Sequence, residues 1–177
     1  MTRLLTVGHG PLRRDALRGL LVGAGVQTVV DVRRFPGSRR NPDVSQDVLA
    51  GWLGDAGVGY HWAEDLGGRR RLPADEEPLD TWWTVAAFRA YAAHTRAPEF
   101  VAALTAVLEE SRTRSVTVMC SESVWWRCHR RLIADVATVA HGVDVQHLMH
   151  DGKLRPHRPA DGARVRDDGL MVWDADR

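Results

Sequence analysis

Cysteine is scarce in this chain, lysine almost absent, and no apolar run is long enough to cross a bilayer. The two cysteines, Cys120 and Cys128, are too few for a disulfide framework; in a reducing compartment they are packed, catalytic or metal-binding residues rather than a structural bridge. The single lysine is Lys153, so the other basic side chains are arginines, planar multi-donor groups suited to phosphate and carboxylate. Excess charge is lacking too. With 24 basic against 23 acidic side chains the formal net charge is +1, which removes any global argument for a polyanion partner. Met1 to Leu5 leads into a strand pattern without a charged-then-apolar signal segment, so a cytoplasmic location without membrane contact is expected. No internal repeat is visible.

What is present suits one buried core. The 177 residues are 44% apolar with seven tryptophans, enough for one domain over 1–177, in which 151–177 reads as a C-terminal extension. Apolar runs recur at Leu4–Val7, Val26–Val30, Val58–Trp62, Val116–Met119 and Val143–Leu148, with helical patterns between them. This alternation predicts a three-layer α/β fold, Rossmann-like or flavodoxin-like. The unbroken apolar character of the runs predicts a mainly parallel sheet with helices on both faces. Helices are expected from about Pro11 to Leu21, Ser45 to Ala56 with Ser45 as N-cap, Trp82 to Thr95, Pro98 to Arg112 and Arg127 to His141. Residues 63–80, with Gly67-Gly68, two prolines and mixed charge, read as a long loop and a candidate lid over a site. Ala163–Val165 and Leu170–Trp173 flank Asp167-Asp-Gly169 as a hairpin.

Two clusters carry chemistry. Residues 120–130 gather both thiols, Glu122, two tryptophans, Arg127, His129 and Arg130, and residues 31–40 join Asp31 to Arg33, Arg34, Ser38, Arg39 and Arg40. In a parallel sheet ligands bind beyond the carboxyl ends of the strands. His9, Asp31 with Arg33, Glu64, and Cys120 with Glu122 each follow an apolar run, so they should converge on one cleft, bordered by Gly68-Arg69. A cysteine at a helix start among arginines is biased towards thiolate. The alternative for Cys128 is core packing on the face shared with Leu132 and Val136, and Cys120 carries the same two readings. Asp31 and Glu122 are the acids placed for proton transfer, Glu122 through partial burial, and one of Trp125 and Trp126, taken as Trp126, should face the pocket. The spacing Cys-x7-Cys-His matches neither a paired-cysteine knuckle nor a metalloprotease helix. No cofactor is therefore expected, with zinc or iron on the two cysteines, His129 and His9 as the lesser alternative. A Cys-x5-Arg phosphatase loop is also absent.

The string Thr6-Val-Gly8-His9, Asp31-Val-Arg33-x-Phe-Pro36-x-Ser38-Arg39-x-Asn41-Pro42, Gly57-Val-x-Tyr60, Leu66-Gly67-Gly68-Arg69 and Cys120-x-Glu122-x5-Cys128-His129-Arg130 resembles the domain-of-unknown-function 488 family over about residues 4 to 158. The resemblance implies a compact α/β protein whose shared residues include His9, Asp31, Arg33, Ser38, Arg39, Cys120, Glu122, Cys128, His129 and Arg130. It says little about reaction. The chain departs from the family where members often carry a histidine two residues after that tyrosine, since Trp62 stands there and His61 one position earlier.

The leading expectation is an enzyme whose arginine-rich pocket accepts a phosphorylated, nucleotide-type ligand or nucleic-acid component for hydrolysis or group transfer. In it Asp31, Glu122, His9, Cys120 and Cys128 are the candidate catalytic groups. Arg33, Ser38, Arg39, Arg69, Trp126, Arg127, His129 and Arg130 are the candidate binding groups. A thiol-dependent redox or metal-binding protein, and a non-catalytic nucleic-acid-binding module, are the alternatives.

Overall fold

A computed structural model describes residues 1–174. Five strands run parallel: β1 (Arg3–Gly8), β2 (Thr28–Asp31), β3 (Gly59–Trp62), β4 (Val116–Cys120) and β5 (Asp144–Leu148). A short β6 (Leu154–Pro156) returns antiparallel beside β5, and the sheet order is β3-β2-β4-β1-β5-β6. All residues of β2 and β4 are buried, as their unbroken apolar character requires.

Alternation along the strands feeds two cores. Leu4, Val30, Val116, Val118 and Cys120 face α3 (Ala86–His94), α4 (Pro98–Glu110) and α5 (Arg130–Asp135), whereas Leu5, Val7, Val29 and Met119 face α1 (Arg14–Gly23) and α2 (Gln46–Asp55). The fold is therefore a three-layer α/β arrangement with a mainly parallel sheet. The hairpin expected near the C-terminus forms as β7 (Ala163–Val165) and β8 (Met171–Trp173), and it sends Met171 and Trp173 into the first core. Positions 175–177 of the expected extension lie outside the described residues. Among the described residues no helix is long and apolar enough to cross a membrane.

Several helix limits differ from those the sequence suggests. The third helix starts at Ala86 rather than Trp82 because the preceding residues are tied to the hairpin. The Trp82 amide donates to the Trp173 carbonyl at 2.9 Å, and buried Asp80 pairs with Arg96 at 2.8 Å while accepting from the Trp173 amide. The last helix starts at Arg130, not Arg127: residues Trp125–Arg127 form a separate 3-10 turn, and after Asp135 the chain widens into a π-helical turn, Val136–Ala140. Ser45 is the N-cap of α2, yet its hydroxyl donates to the Ser38 carbonyl at 3.2 Å instead of capping the helix. Strand β6 was not legible. It is three exposed residues ending in a proline, which an edge tolerates.

The loop after β3 is half anchored. A 3-10 turn, Glu64–Leu66, is held by Tyr91 Oη donating to the Leu66 carbonyl at 2.6 Å, His94 Nε2 donating to the Asp65 carbonyl at 2.6 Å, and Arg70 donating to the Gly67 and Glu64 carbonyls. Most of residues 71–79 are exposed.

Candidate active site

Strands β2, β4 and β1 lie side by side at the sheet centre, so their carboxyl ends deliver Asp31, Cys120 and His9 to neighbouring positions. A cavity of about 370 Å³ opens there, with His9, Arg33, Cys120 and Cys128 inward and Arg69 and Arg127 at exposed positions. The strand ends are knitted together past the ladder: the His9 amide donates to the Cys120 carbonyl and the Val32 amide to the Met119 carbonyl, both at 2.9 Å. Gly8 is required at this junction, because a Cβ there would collide with the Glu122 carbonyl and the Arg130 guanidinium.

Asp31 lies beneath the cavity, fully buried. Its carboxylate accepts from Arg33 Nε at 2.8 Å, Arg33 NH2 at 2.6 Å, the Arg33 amide at 3.1 Å and Tyr60 Oη at 2.7 Å. Four donors occupy both oxygens, which makes Asp31 the anchor of Arg33. Partial burial, with the Asp31 charge adding to it, pushes the half-buried Tyr60 phenol well above its ordinary range. His9 Nδ1 bonds the Gly10 carbonyl at 2.8 Å, which puts the ring proton on Nδ1 and turns the Nε2 lone pair towards Arg33 NH1 at 3.4 Å. Burial, with Arg33 adding to it, lowers the His9 pKa, so the ring is a neutral acceptor at neutral pH.

The thiols form the cavity floor. Cys120 and Cys128 are free, and their Sγ atoms are 2.7 Å apart. Around Cys128 Sγ lie His129 Nδ1 at 3.4 Å and the Arg130 amide at 3.5 Å, and His129 Nε2 donates to the Val32 carbonyl at 2.8 Å. Burial opposes ionisation of Cys128, but the Cys120 hydrogen bond, His129 and Arg130 outweigh it and hold this thiol well below its ordinary range. Burial and the neighbouring sulfur push Cys120 up. The pair is thus biased towards ionisation at Cys128, with the Cys120 thiol as the hydrogen-bond donor between the two sulfurs.

The remaining expected residues divide. Ser38, Arg69, Glu122, Arg127 and His129 line the cavity. Glu122 is exposed rather than partly buried, and its carboxylate takes the Val124 amide at 3.1 Å. Arg39 and Glu64 are exposed outside the lining. Trp126 lies outside the cavity lining, 48% exposed and edge-to-face with Trp125, which stacks on His147 at 4.0 Å. Arg130 is 1% exposed and serves the interior: NH2 donates to the Glu122 carbonyl at 2.6 Å and NH1 to Thr6 Oγ1 at 3.2 Å.

Residue spacing offered no signal for three further features. Phe88 and Tyr91 of α3 close one side of the cavity, but their spacing matches ordinary core. Phe35 stands at the mouth, 62% exposed. A buried chain runs from Arg130 through Thr6 to His147 Nδ1 (2.7 Å), from His147 Nε2 to His157 Nδ1 (3.0 Å), and from His157 Nε2 to Asp135 Oδ1 (2.7 Å). One tautomer set satisfies it, with Thr6 donating to His147, His147 to His157 and His157 to Asp135. Trp173 Nε1 and the Ala160 amide complete the Asp135 shell at 2.7 and 3.2 Å.

The family model described as domain of unknown function DUF488 matches residues 13–137. The chain belongs to the DUF488 family. The match runs from the residue before α1 into the π-helical turn after α5, so in this DUF488 protein it covers every cavity-lining residue except His9. No curated protein and no solved structure matches the chain. Among the described residues no group of three or more His, Cys, Asp or Glu side chains is placed to hold a metal, and His9 has both ring nitrogens engaged.

Proposed function

We propose that the cavity is the active site of a thiolate-dependent enzyme that acts on a phosphorylated, nucleotide-type substrate by group transfer or hydrolysis. The observation that carries this reading is Cys128 Sγ on the floor, faced by Cys120 Sγ, His129 Nδ1 and the Arg130 amide, with Arg34, Arg69 and Arg127 around the opening. Among the described residues the Arg127 guanidinium meets no protein acceptor, which leaves its donors for a ligand.

In this scheme His129 Nδ1 takes the Cys128 proton and the thiolate attacks the electrophilic centre held below the arginines. A bond forms from sulfur to that centre, and the leaving group departs with its bonding pair and receives the proton from His129. Water or a second acceptor, deprotonated by His129, then displaces Cys128 and restores the thiolate. No step is assigned to a metal, and the chemistry needs a reducing compartment such as the cytoplasm.

Alkylation by iodoacetamide at pH 7, followed by intact mass, tests the reading. Rapid labelling of wild type, its loss in Cys128→Ser and its slowing by nucleoside monophosphate are expected. Equal labelling of wild type and Cys128→Ser, or no effect of any phosphorylated ligand, overturns it. The 2.7 Å sulfur separation favours one second reading, thiol redox chemistry. Peroxide would oxidise Cys128 to the sulfenic acid, and Cys120 would displace water to give a disulfide. Loss of two hydrogens in mass after peroxide, abolished in Cys120→Ser, is its signature.

A further inference from the structure

A second depression adjoins the thiol cavity, an open trough of about 1060 Å³ that shares Arg34, Phe35 and Arg69 with it. The trough continues along Arg70, Arg71 and Leu72 beside α3. Its four arginines outnumber its two acids, Glu76 and Glu99, although Arg70 is spent on the Gly67 and Glu64 carbonyls.

Phe35 marks the seam between the two. At 62% exposure it is more open than Trp126 at 48% or Trp62 at 41%. The Arg34 and Arg69 guanidinium carbons lie 5.7 and 5.9 Å from its ring centroid. The Arg34 guanidinium and the Arg69 backbone are tied together: Arg34 NH1 donates to the Arg69 carbonyl at 2.9 Å, and Arg69 is the one non-glycine residue in the left-handed region among the described residues, at φ 57°. A non-glycine residue held there reflects a constraint from its surroundings, here the bridge that sets Arg69 beside Phe35.

An exposed ring flanked by guanidinium groups recognises a chain that alternates flat π-faces with anions. A mononucleotide would fill the cavity and leave the trough without an occupant, and a run of Asp and Glu residues offers no aromatic face to cover Phe35. We propose that the substrate is a single-stranded nucleic acid. One nucleotide enters the thiol cavity, an adjacent base stacks on Phe35, and the strand continues over Arg69 and Arg71. This rests on the reading of the cavity as a phosphate-accepting active site.

The test uses the full chain with a fluorescent ten-nucleotide oligouridylate, adenosine monophosphate, a duplex of equal length and polyglutamate, each measured for affinity and for protection of Cys128 against iodoacetamide. The oligonucleotide should bind most tightly and protect Cys128. Phe35→Ala should weaken it about 5- to 150-fold. Arg71→Ala, in the trough alone, should lower the salt slope by about 0.7. Protection by adenosine monophosphate with no gain from the oligonucleotide overturns this inference and leaves the enzyme reading standing. Absence of protection by either overturns both. Oligonucleotide binding that leaves Cys128 unprotected, equal affinity for polyglutamate or for duplex, or an unchanged affinity in Phe35→Ala also overturns it.

Discussion

Two polar regions meet at Arg130, and they use the same residue types to opposite ends. In the buried chain from Arg130 to Asp135 every donor of Thr6, His147 and His157 meets an acceptor, a cation stands at one end and a carboxylate at the other, and solvent is excluded. In the cavity Cys128, Arg127 and Glu122 keep valences turned to open space. Saturated hydrogen-bonding capacity makes a histidine or aspartate part of the architecture, whereas an unspent donor or lone pair in a concave site is available to a ligand. Asp31 and His9 show that the boundary is not drawn by depth alone. Both are buried at strand ends and bonded within the protein, Asp31 by four donors and His9 at both ring nitrogens, yet only His9 lines the cavity.

The contrast breaks if the two regions respond alike to substitution. The largest effect is expected at Asp135: Asp135→Ala strands His157, the Trp173 indole and the Ala160 amide without their acceptor, and should cost about 3–5 kcal/mol in urea unfolding. A loss below about 1 kcal/mol would show that water or rearrangement replaces the carboxylate.

Next comes acid sensitivity. Burial, with His157 and Arg130 adding to it, lowers the His147 pKa to about 3 from 6.5. Above pH 6.5 the ring is neutral in both folded and unfolded chains. As pH falls from 6.5 towards 3 the unfolded chain binds a proton that the folded one refuses, so stability declines by up to about 1.4 kcal/mol per pH unit from this group. His147→Gln, which can donate and accept but does not titrate, should flatten that slope in pH-dependent denaturation.

Smaller effects sharpen the other side. Tyr60→Phe removes one of four donors to Asp31 and should cost about 1 kcal/mol, with alkylation of Cys128 unchanged. Cys120→Ala, by removing the proton bond to Cys128, should move the alkylation profile of Cys128 to higher pH. Arg127→Ala, at an exposed position, should alter stability by less than about 0.5 kcal/mol while weakening nucleotide protection of the thiol.

Much of the fold was legible because the strands are short apolar runs and the site follows from where they end. The convergence of His9, Cys120, Glu122 and Arg33 needed only that Leu4–Val7, Val29–Val30 and Val116–Met119 be parallel strands. Other features depend on contacts far apart in sequence. Whether Arg130 turns in or out is decided by Thr6, 124 positions away, and Trp125 stacks on His147 while Trp126 stays exposed. His147 and His157 sit ten positions apart in a region that reads as strand and tail, and only the antiparallel return of β6 faces them towards each other. The start of α3 at Ala86 depends on contacts of the same kind, since Trp82 and Trp83 ahead of it are claimed by Trp173.

The strand order has a consequence for how the molecule is made. Residues 3–8 and 28–31 flank the place of β4 and cannot pair with each other in the finished sheet, so the centre stays incomplete until residues 116–120 have left the ribosome and inserted between them. Closing contacts this distant in sequence is slow compared with local helix formation. The lowered pKa of Cys128 depends on that insertion. The chain therefore acquires both thiols only in its last third, as ordinary ones, and its reactive sulfur comes into being when the sheet closes.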